Sequence, residues 1–104
     1  MNNIPQSMNY IQIEKHGDPE VLKLHSMPVP EPGPGEVLIK VAAAGVNRPD
    51  MMQRKGLYPP PHGATDVPGL EVSGTVVSVG QNVSEPPINS EVCALVTCGG
   101  YAEY

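Results

Sequence analysis

The sequence predicts a mainly β domain, in which short strands form a small β-barrel and one short helix follows the central strand. Thirteen prolines and eleven glycines among 104 residues are about twice the usual share of these helix breakers, so long helices are excluded. The apolar runs between them are too regular for a disordered chain. Because the chain has no Phe and no Trp, its core is expected to consist of Val, Leu, Ile, Ala and Met.

The domain is predicted to begin with a hairpin. Residues 8–14 place Ile11 and Ile13 on one face, with polar side chains between them, which is the period of a strand. Residues 16–19 read His-Gly-Asp-Pro, a turn signature, and residues 21–26 return as the second strand.

A proline-rich connection leads to the strongest strand. Residues 27–35 contain four prolines and are expected to be extended, because proline fixes φ and has no N–H for a ladder. Residues 36–46 then alternate apolar side chains on both faces. We predict that this segment is the central strand and that Gly45 bends it just before Asn47.

The helix is predicted at residues 48–55, directly after Asn47. Asn47 has the character of an N-cap, whose side-chain oxygen accepts an orphan amide N–H. Pro49 suits the first turn, where its missing N–H costs nothing, and Asp50 suits the positive end of the helix dipole. Gly56 is expected to end the helix after about two turns.

Further strands complete the predicted barrel. Tyr58 precedes three consecutive prolines, which predict a stiff extended loop. Residues 71–79 form a β-branched strand that Gly74 interrupts. Residues 91–96 form another short strand, and residues 101–104 begin one more.

Charge and cysteine content exclude several classes of protein. The net charge is −5 and the six basic residues are scattered, so neither nucleic acid nor an anionic membrane is an expected partner. The first residues carry no positive charge and no apolar run, and no segment approaches the roughly 18 apolar residues of a transmembrane span. Cys93 and Cys98 are most simply reduced thiols, which favours a cytoplasmic protein.

Three motifs together resemble a known enzyme family. They are Pro-Gly-Pro-Gly-Glu-Val-Leu-Ile-Lys-Val at 32–41, Ala-Gly-Val-Asn-Arg-Pro-Asp at 44–50, and Pro-Gly-Leu-Glu-Val-Ser-Gly-Thr-Val-Val-Ser-Val-Gly at 68–80. They resemble the N-terminal, GroES-like catalytic domain of medium-chain dehydrogenases/reductases. The segment 47–79 is similar to the zinc-free NADPH:quinone oxidoreductases, and within it residues 47–64 are similar to the p53-inducible quinone reductase group.

The resemblance implies a GroES-like, partly open β-barrel at residues 8–104, preceded by a leader at residues 1–7. The barrel would hold the substrate while a hydride passes from NADPH to a quinone. The dinucleotide-binding domain is expected to be absent from this chain, because the chain has no Gly-x-Gly-x-x-Gly motif and no βαβ alternation. The isolated domain is therefore expected to be inactive, and the parent enzyme is expected to be a homodimer.

The resemblance also bears on zinc. The zinc alcohol dehydrogenases of this superfamily have a cysteine at the position of Asn47 and a histidine at the position of Leu70. A catalytic zinc takes three ligands from Cys, His or carboxylate, and an amide and a leucine do not replace them. The three histidines, His16, His25 and His62, have no ligand spacing. We therefore predict no metal site.

Three residues are the candidate site residues that the resemblance assigns. Asn47 is expected to hold the nicotinamide or the substrate carbonyl, and capping the helix is its alternative or additional role. Tyr58 is expected near the nicotinamide and the quinone and is the candidate catalytic residue, with anchoring of the loop as its alternative role. Met51 is expected to line the substrate cleft with an adaptable thioether. Asp50 is interpreted as a partner of the helix dipole and not as a base.

Two alternative functions remain open on the sequence. An enoyl or enone reductase of the same superfamily would use the same cofactor, and the residues that distinguish it from a quinone reductase lie partly in the absent domain. A GroES-like interaction module without catalysis would bind a protein partner through its proline loops. Asn47 and Tyr58 in a cleft would favour an enzyme.

Overall fold

The computed structural model of the protein describes residues 4–104, and strands dominate it. One short helix, α1 (Arg48–Arg54), lies between the third and fourth strands, and a single 3-10 turn, Pro19–Val21, lies between the first two. The strands are β1 (Ser7–Ile13), β2 (Leu22–Pro28), β3 (Val37–Ala44), β4 (Glu71–Val79) and β5 (Glu91–Leu95). The predicted mainly β fold with one short helix after the central strand is confirmed.

The strands form two antiparallel sheets. β1 pairs with β2 in a hairpin whose register runs from Ser7 opposite Pro28 to Ile13 opposite Leu22. In the second sheet β4 lies between β3 and β5. The β-branched residues of β4 supply much of the core, and Val76 is completely buried. The core thus depends on valines, as expected of a chain without Phe or Trp.

The last four residues join the two sheets. The N–H of Ile11 in β1 donates to the C=O of Tyr101 at 2.9 Å, and the N–H of Val41 in β3 donates to the C=O of Glu103 at 2.9 Å. The strand predicted at residues 101–104 is not a full strand, because its backbone groups are divided between two partners and only the bridge between Tyr10 and Ala102 is regular. The result is a small barrel that is open between β2 and β5.

Gly74 marks a bend in the central pair of strands. The register of β3 against β4 shifts between Val41 and Ala43, beside Gly74. A Cβ atom at Gly74 would overlap the backbone C=O of Lys40, so only glycine allows the two strands to approach here. The interruption that the sequence predicts at Gly74 is therefore a point of close backbone contact.

Several predicted boundaries differ from the observed ones. β2 begins one residue late, because Val21 completes the 3-10 turn, and it runs through Pro28, which occupies the edge-strand position that proline tolerates. β3 ends at Ala44, two residues early, and α1 and β5 each end one residue early. Residues 1–3 of the predicted leader lie outside the described residues, and Ser7 already belongs to β1.

Candidate functional site

The start of α1 is fixed by a capping box. Asn47 is the N-cap residue with extended backbone, and Asp50 is the third residue of the helix. Asp50 Oδ2 accepts a hydrogen bond from the N–H of Asn47 at 3.0 Å, and the N–H of Asp50 donates to the C=O of Asn47 at 3.0 Å. The first of these bonds is the one that a capping box uses to satisfy the backbone donor of the N-cap residue, and the second closes the first turn of the backbone. They also hold Asn47 in one position.

Asp50 is also bonded from the far end of the chain. Its side chain is buried, with 6% exposure, and Tyr101 Oη donates to Asp50 Oδ2 at 2.7 Å. Burial, followed by the hydrogen bond to Asp50, raises the pKa of Tyr101 above its usual value. The phenol is therefore a neutral donor at ordinary pH, and the Asp50 carboxylate is committed to structural bonds instead of being free to act as a base.

Three polar atoms on α1 and its cap are enclosed without a hydrogen-bond partner among residues 4–104. They are Asn47 Nδ2, Asp50 Oδ1 and Arg54 Nε. The spacing of three and four residues places them along one face of the helix. An unpaired buried donor or acceptor costs about 1–3 kcal/mol, so an added partner along this face would be stabilising.

Tyr58 lies beyond the C-terminal end of α1, in a cleft of about 240 Å³. We call it the Tyr58 cleft. Its walls come from the end of β1, the following turn, α1 and the proline loop: Gln12, Ile13, His16, Gln53, Gly56, Tyr58, Pro59, Pro60 and Asp66. Gln53 is buried, and its Nε2 donates to the backbone C=O of Asp66 at 2.8 Å. This bond ties the loop to the helix and gives the cleft a fixed wall.

The three predicted site residues do not share this cleft. Tyr58 is 39% exposed and lines it, whereas Asn47 and Met51 lie in the first part of the helix and are not among its lining residues. Met51 is 41% exposed, and Asn47 is half-buried. The joint binding of nicotinamide and substrate by these three residues stays a prediction.

Sequence reasoning missed three residues that the structure brings to this region. Tyr101 is 51 positions from its partner Asp50, and no local pattern signals such a pair. Gln53 lies in the predicted helix, but the sequence did not indicate that its side chain is buried and bonded to the loop. His16 was placed only in a turn, yet it lines the Tyr58 cleft.

The described residues include no cluster suited to a metal. No group of three or more His, Cys, Asp or Glu side chains within residues 4–104 is arranged to hold an ion. Cys93 is exposed, Cys98 is half-buried, and both are free thiols. Burial, with the nearby charges of Asp50 and Asp66, raises the pKa of Cys98. Within residues 4–104, no helix reaches the length and hydropathy of a transmembrane span.

Comparison with known proteins identifies a family and shows how much of its relatives' length this chain covers. Residues 33–104 match the alcohol dehydrogenase GroES-like domain. A quinone oxidoreductase from Lama guanicoe is 43% identical over 99 residues, which cover 93% of this chain and 30% of that protein. The chain thus spans about a third of the length of the curated relatives it matches.

Solved structures have the same fold. The quinone oxidoreductase from Coxiella burnetii superimposes with a TM-score of 0.82 at 32% identity, covering 93% of this chain and 33% of that one. A mycobacterial protein solved in complex with NADPH superimposes with a TM-score of 0.79 at 37% identity, and the match covers 92% of this chain and 30% of that one. The JamJ enoyl reductase superimposes with a TM-score of 0.83 at 26% identity, and the match covers 92% of this chain and 31% of that one.

The solved structures cover 92–93% of this chain, and the family match includes α1 and the proline loop. The family match alone covers more than half of the chain. The chain belongs to the alcohol dehydrogenase GroES-like domain family, within the medium-chain dehydrogenase/reductase superfamily of oxidoreductases.

Proposed function

We propose that this chain is the substrate-side domain of a zinc-independent oxidoreductase that transfers a hydride from NADPH to a quinone. The observation that carries the proposal is the 43% identity with a quinone oxidoreductase over 99 residues. That match extends over nearly the whole chain, including α1 and the proline loop. The dinucleotide-binding domain would come from outside residues 1–104, since these residues contain no glycine fingerprint for a pyrophosphate.

The residues of this chain fit the nicotinamide end of NADPH. Asn47 Nδ2 is a buried amide donor without a partner among residues 4–104, and a carbonyl or carboxamide oxygen would supply the acceptor it lacks. Tyr58 offers an exposed phenol and a ring face at the other end of α1. Asn47 would hold the cofactor or the substrate carbonyl, and Tyr58 and Met51 would contact the substrate.

The domain would contribute orientation and exclusion of water. NADPH, when bound, supplies the hydride. Asn47 would keep its carbonyl partner in one orientation, because the capping box and the Tyr101 bond fix the start of α1. Tyr58 would place its phenol against the oxygen that gains charge, and its ring would cover one side of the substrate.

The donor set does not fit a catalytic zinc. By the resemblance, the zinc enzymes use the positions of Asn47 and Leu70 for thiolate and imidazole ligands. A carboxamide and an aliphatic side chain are not substitutes for them. No step of the proposed reaction therefore passes through a metal.

NADPH oxidation in the presence of a quinone tests the proposal. The full polypeptide that carries this sequence and the 104-residue chain are assayed side by side, each with and without a chelator. We expect chelator-resistant oxidation by the polypeptide with both domains and none by the 104 residues alone. Chelator-sensitive turnover, or turnover of alcohols only, would overturn the zinc-independent assignment.

A second candidate function is reduction of an enone or enoyl thioester. The similarity to an enoyl reductase at a TM-score of 0.83 favours it. Both reactions deliver a hydride to an unsaturated carbonyl compound, so the barrel would perform the same tasks. Comparison of kcat/KM for a quinone and for a crotonyl thioester distinguishes them, and a higher value for the thioester would replace the quinone proposal. Assembly as a homodimer and a cytoplasmic location belong to the same proposal.

A further inference from the structure

Gln53 brings an unused hydrogen-bond acceptor to the Tyr58 cleft. Its side chain is buried, with 6% exposure, and its Nε2 donates to the backbone C=O of Asp66 at 2.8 Å. This bond fixes the orientation of the amide, because only its NH₂ group can donate. Oε1 has no hydrogen-bond partner among residues 4–104 and is not one of the enclosed unpartnered atoms on α1. Since Gln53 lines the cleft, its Oε1 is accessible to a ligand there.

The cleft also carries a negative charge. Among the residues that line it, only Asp66 has a full charge at neutral pH. The Asp66 carboxylate has no ion-pair partner within residues 4–104. Lys15 and Lys55 adjoin lining residues in the sequence, but both are exposed and neither lines the cleft. A ligand in the cleft therefore meets a carboxylate without a counter-ion.

Tyr58 adds a third oxygen to the same cleft. Its phenol has no hydrogen-bond partner among residues 4–104, and a phenol oxygen accepts as well as donates. An alkylammonium group has three N–H donors and no acceptor. It therefore matches Gln53 Oε1, the Asp66 carboxylate and Tyr58 Oη both in number and in charge. The Asp66 carboxylate would repel an anion, and a carbonyl ligand would leave the Gln53 oxygen unpaired.

The remaining polar side chains of the cleft do not oppose a cation. Gln12 Oε1 accepts from Tyr10 Oη at 2.9 Å, and Gln12 Nε2 donates to the C=O of Ile13 at 3.3 Å, so this amide is committed. A neutral imidazole such as that of His16 has one acceptor nitrogen beside its donor. The ligand thus finds acceptors on several sides of the cleft and no fixed positive charge.

The rest of the wall suits a short carbon chain. Ile13, Pro59 and Pro60 contribute apolar surface to the lining. The volume of about 240 Å³ is below the usual 300–1,000 Å³ of sites for drug-sized ligands. The cleft therefore admits an ammonium group with the methylene groups next to it.

We propose that the Tyr58 cleft binds an alkylammonium group, with Gln53 Oε1, the Asp66 carboxylate and Tyr58 Oη as its acceptors. The inference goes beyond the proposed function, because this ligand is neither NADPH nor a hydride acceptor. The ligand is held by hydrogen bonds and charge, and no covalent or proton-transfer step is assigned. Because Tyr58 is also proposed to contact the substrate, an amine in the cleft would compete with the substrate.

Titration of the 104-residue chain with n-butylammonium chloride, followed by NMR, tests the inference. We expect saturable shifts of the Gln53 side-chain NH₂ signals and of the Tyr58 ring signals. The signals of His25, which is paired with Glu14 at 2.7 Å, are expected to stay unchanged. Sodium chloride at the same ionic strength is the blank. Butan-1-ol has the same carbon chain without the charge and is expected to bind more than about tenfold more weakly, since charged donors make the stronger hydrogen bonds.

One variant and one control separate the carboxylate from the rest of the cleft. Asp66→Asn removes the charge and keeps the backbone C=O that binds Gln53, so we expect n-butylammonium binding to weaken about two- to fivefold, the range for an exposed ion pair. Glu91→Gln removes an exposed carboxylate of β5 that does not line the cleft and is expected to leave the affinity unchanged. Backbone amide spectra confirm that each variant is folded.

A second ligand identifies the source of the ammonium group. Nα-acetyl-lysine methylamide presents the group as a lysine side chain of another protein would, and n-butylammonium presents it as a free amine. Both are expected to bind, and the tighter of the two assigns the cleft to a protein partner or to a small amine.

The outcomes keep this inference separate from the proposed function. Shifts that do not saturate, equal binding of butan-1-ol, or equal affinity in the Asp66→Asn variant would overturn the ammonium site. These titrations contain neither NADPH nor a quinone, so NADPH oxidation by the full polypeptide would still support a quinone reductase. Saturable amine binding, combined with no NADPH oxidation by any quinone, would overturn the proposed function and leave the ammonium site in place.

Discussion

Tyr101 donates a hydrogen bond of 2.7 Å to the buried carboxylate of Asp50, although 51 positions separate the two residues. The same carboxylate oxygen accepts the N–H of Asn47. The residue that is proposed to hold a carbonyl is therefore positioned by a side chain from the last four residues of the chain. The start of α1 and the segment that joins the two sheets form one structural unit.

Replacement of Tyr101 by Phe is expected to lower the free energy of unfolding by about 1.5–3 kcal/mol, the range for a hydrogen bond to a charged group. The lost phenol leaves the buried Asp50 carboxylate with fewer donors. Urea denaturation of the two chains measures the difference. Tyr58→Phe serves as the control, because the Tyr58 phenol is without a partner among residues 4–104, and it is expected to change the value by less than about 0.5 kcal/mol. Equal effects of the two substitutions would contradict this prediction.

The same bond predicts a dependence on alkaline pH. The folded state raises the pKa of Tyr101 above the ordinary tyrosine value of 10.0. A raised pKa means that the stabilisation is fully present below that value and is lost as the pH rises through the folded-state pKa. The difference in unfolding free energy between the natural chain and Tyr101→Phe should therefore shrink above about pH 10. A difference that stayed constant or grew with pH would show that the phenol is not stabilised in its neutral form.

Gly56 is expected to be among the least replaceable residues of the α1 region. Gly56→Ala places a side chain at a φ of +81° and against the His16 ring, so we expect a loss of about 1–3 kcal/mol in urea denaturation. Gly35→Ala is the matched control, because Gly35 has a φ of +76° with no atom near the added Cβ. The Gly35→Ala variant bears only the cost of the unusual backbone conformation, so its loss of unfolding free energy should be smaller than that of Gly56→Ala. A larger loss at Gly35 would mean that the His16 contact is not tight.

The two thiols are expected to react at different rates. Cys93 is exposed, whereas burial raises the pKa of Cys98, so less of Cys98 is the reactive thiolate at about pH 8. Iodoacetamide should therefore modify Cys93 first, with the site identified by peptide mass spectrometry. In the Cys93→Ser variant only the slow reaction of Cys98 should remain, and in the Cys98→Ser variant only the fast reaction of Cys93 should remain. A dominant fast phase in the Cys93→Ser variant would contradict the assignment.

The features that local sequence determines were predictable. The β-branched run at residues 71–79 gave β4 with both ends correct, since its composition and bounding turns act within a few residues. The first residue of α1 followed from Asn47 and Pro49, whose preferences for a helix start are local. The family was also predictable, because it rests on motifs that are contiguous in the sequence.

The features that depend on distant contacts were not predictable. Residues 101–104 have the side-chain pattern of a strand, but their backbone hydrogen bonds go to β1 on one side and to β3 on the other. The sequence pattern does not show that such a segment has two different partners. His16 lies in a segment with the composition of an ordinary turn, and only the attachment of that turn to α1 brings it into the lining of the Tyr58 cleft. Asp50 suited the helix dipole, while its burial and its bond to Tyr101 required the tertiary structure.

The bridging role of residues 101–104 has a consequence for how the chain folds. The N–H of Asn9 donates to Oε1 of Glu103 at 2.7 Å, across 94 positions, and the hairpin is held to β3 through this segment. Contacts of such long sequence separation slow folding, because the loop between them must close before any contact is gained. During synthesis, the turn of the β1–β2 hairpin can attach to α1 through the bond from Gly17 to Arg54, but the hairpin can be joined to β3 only after residues 101–104 have been made.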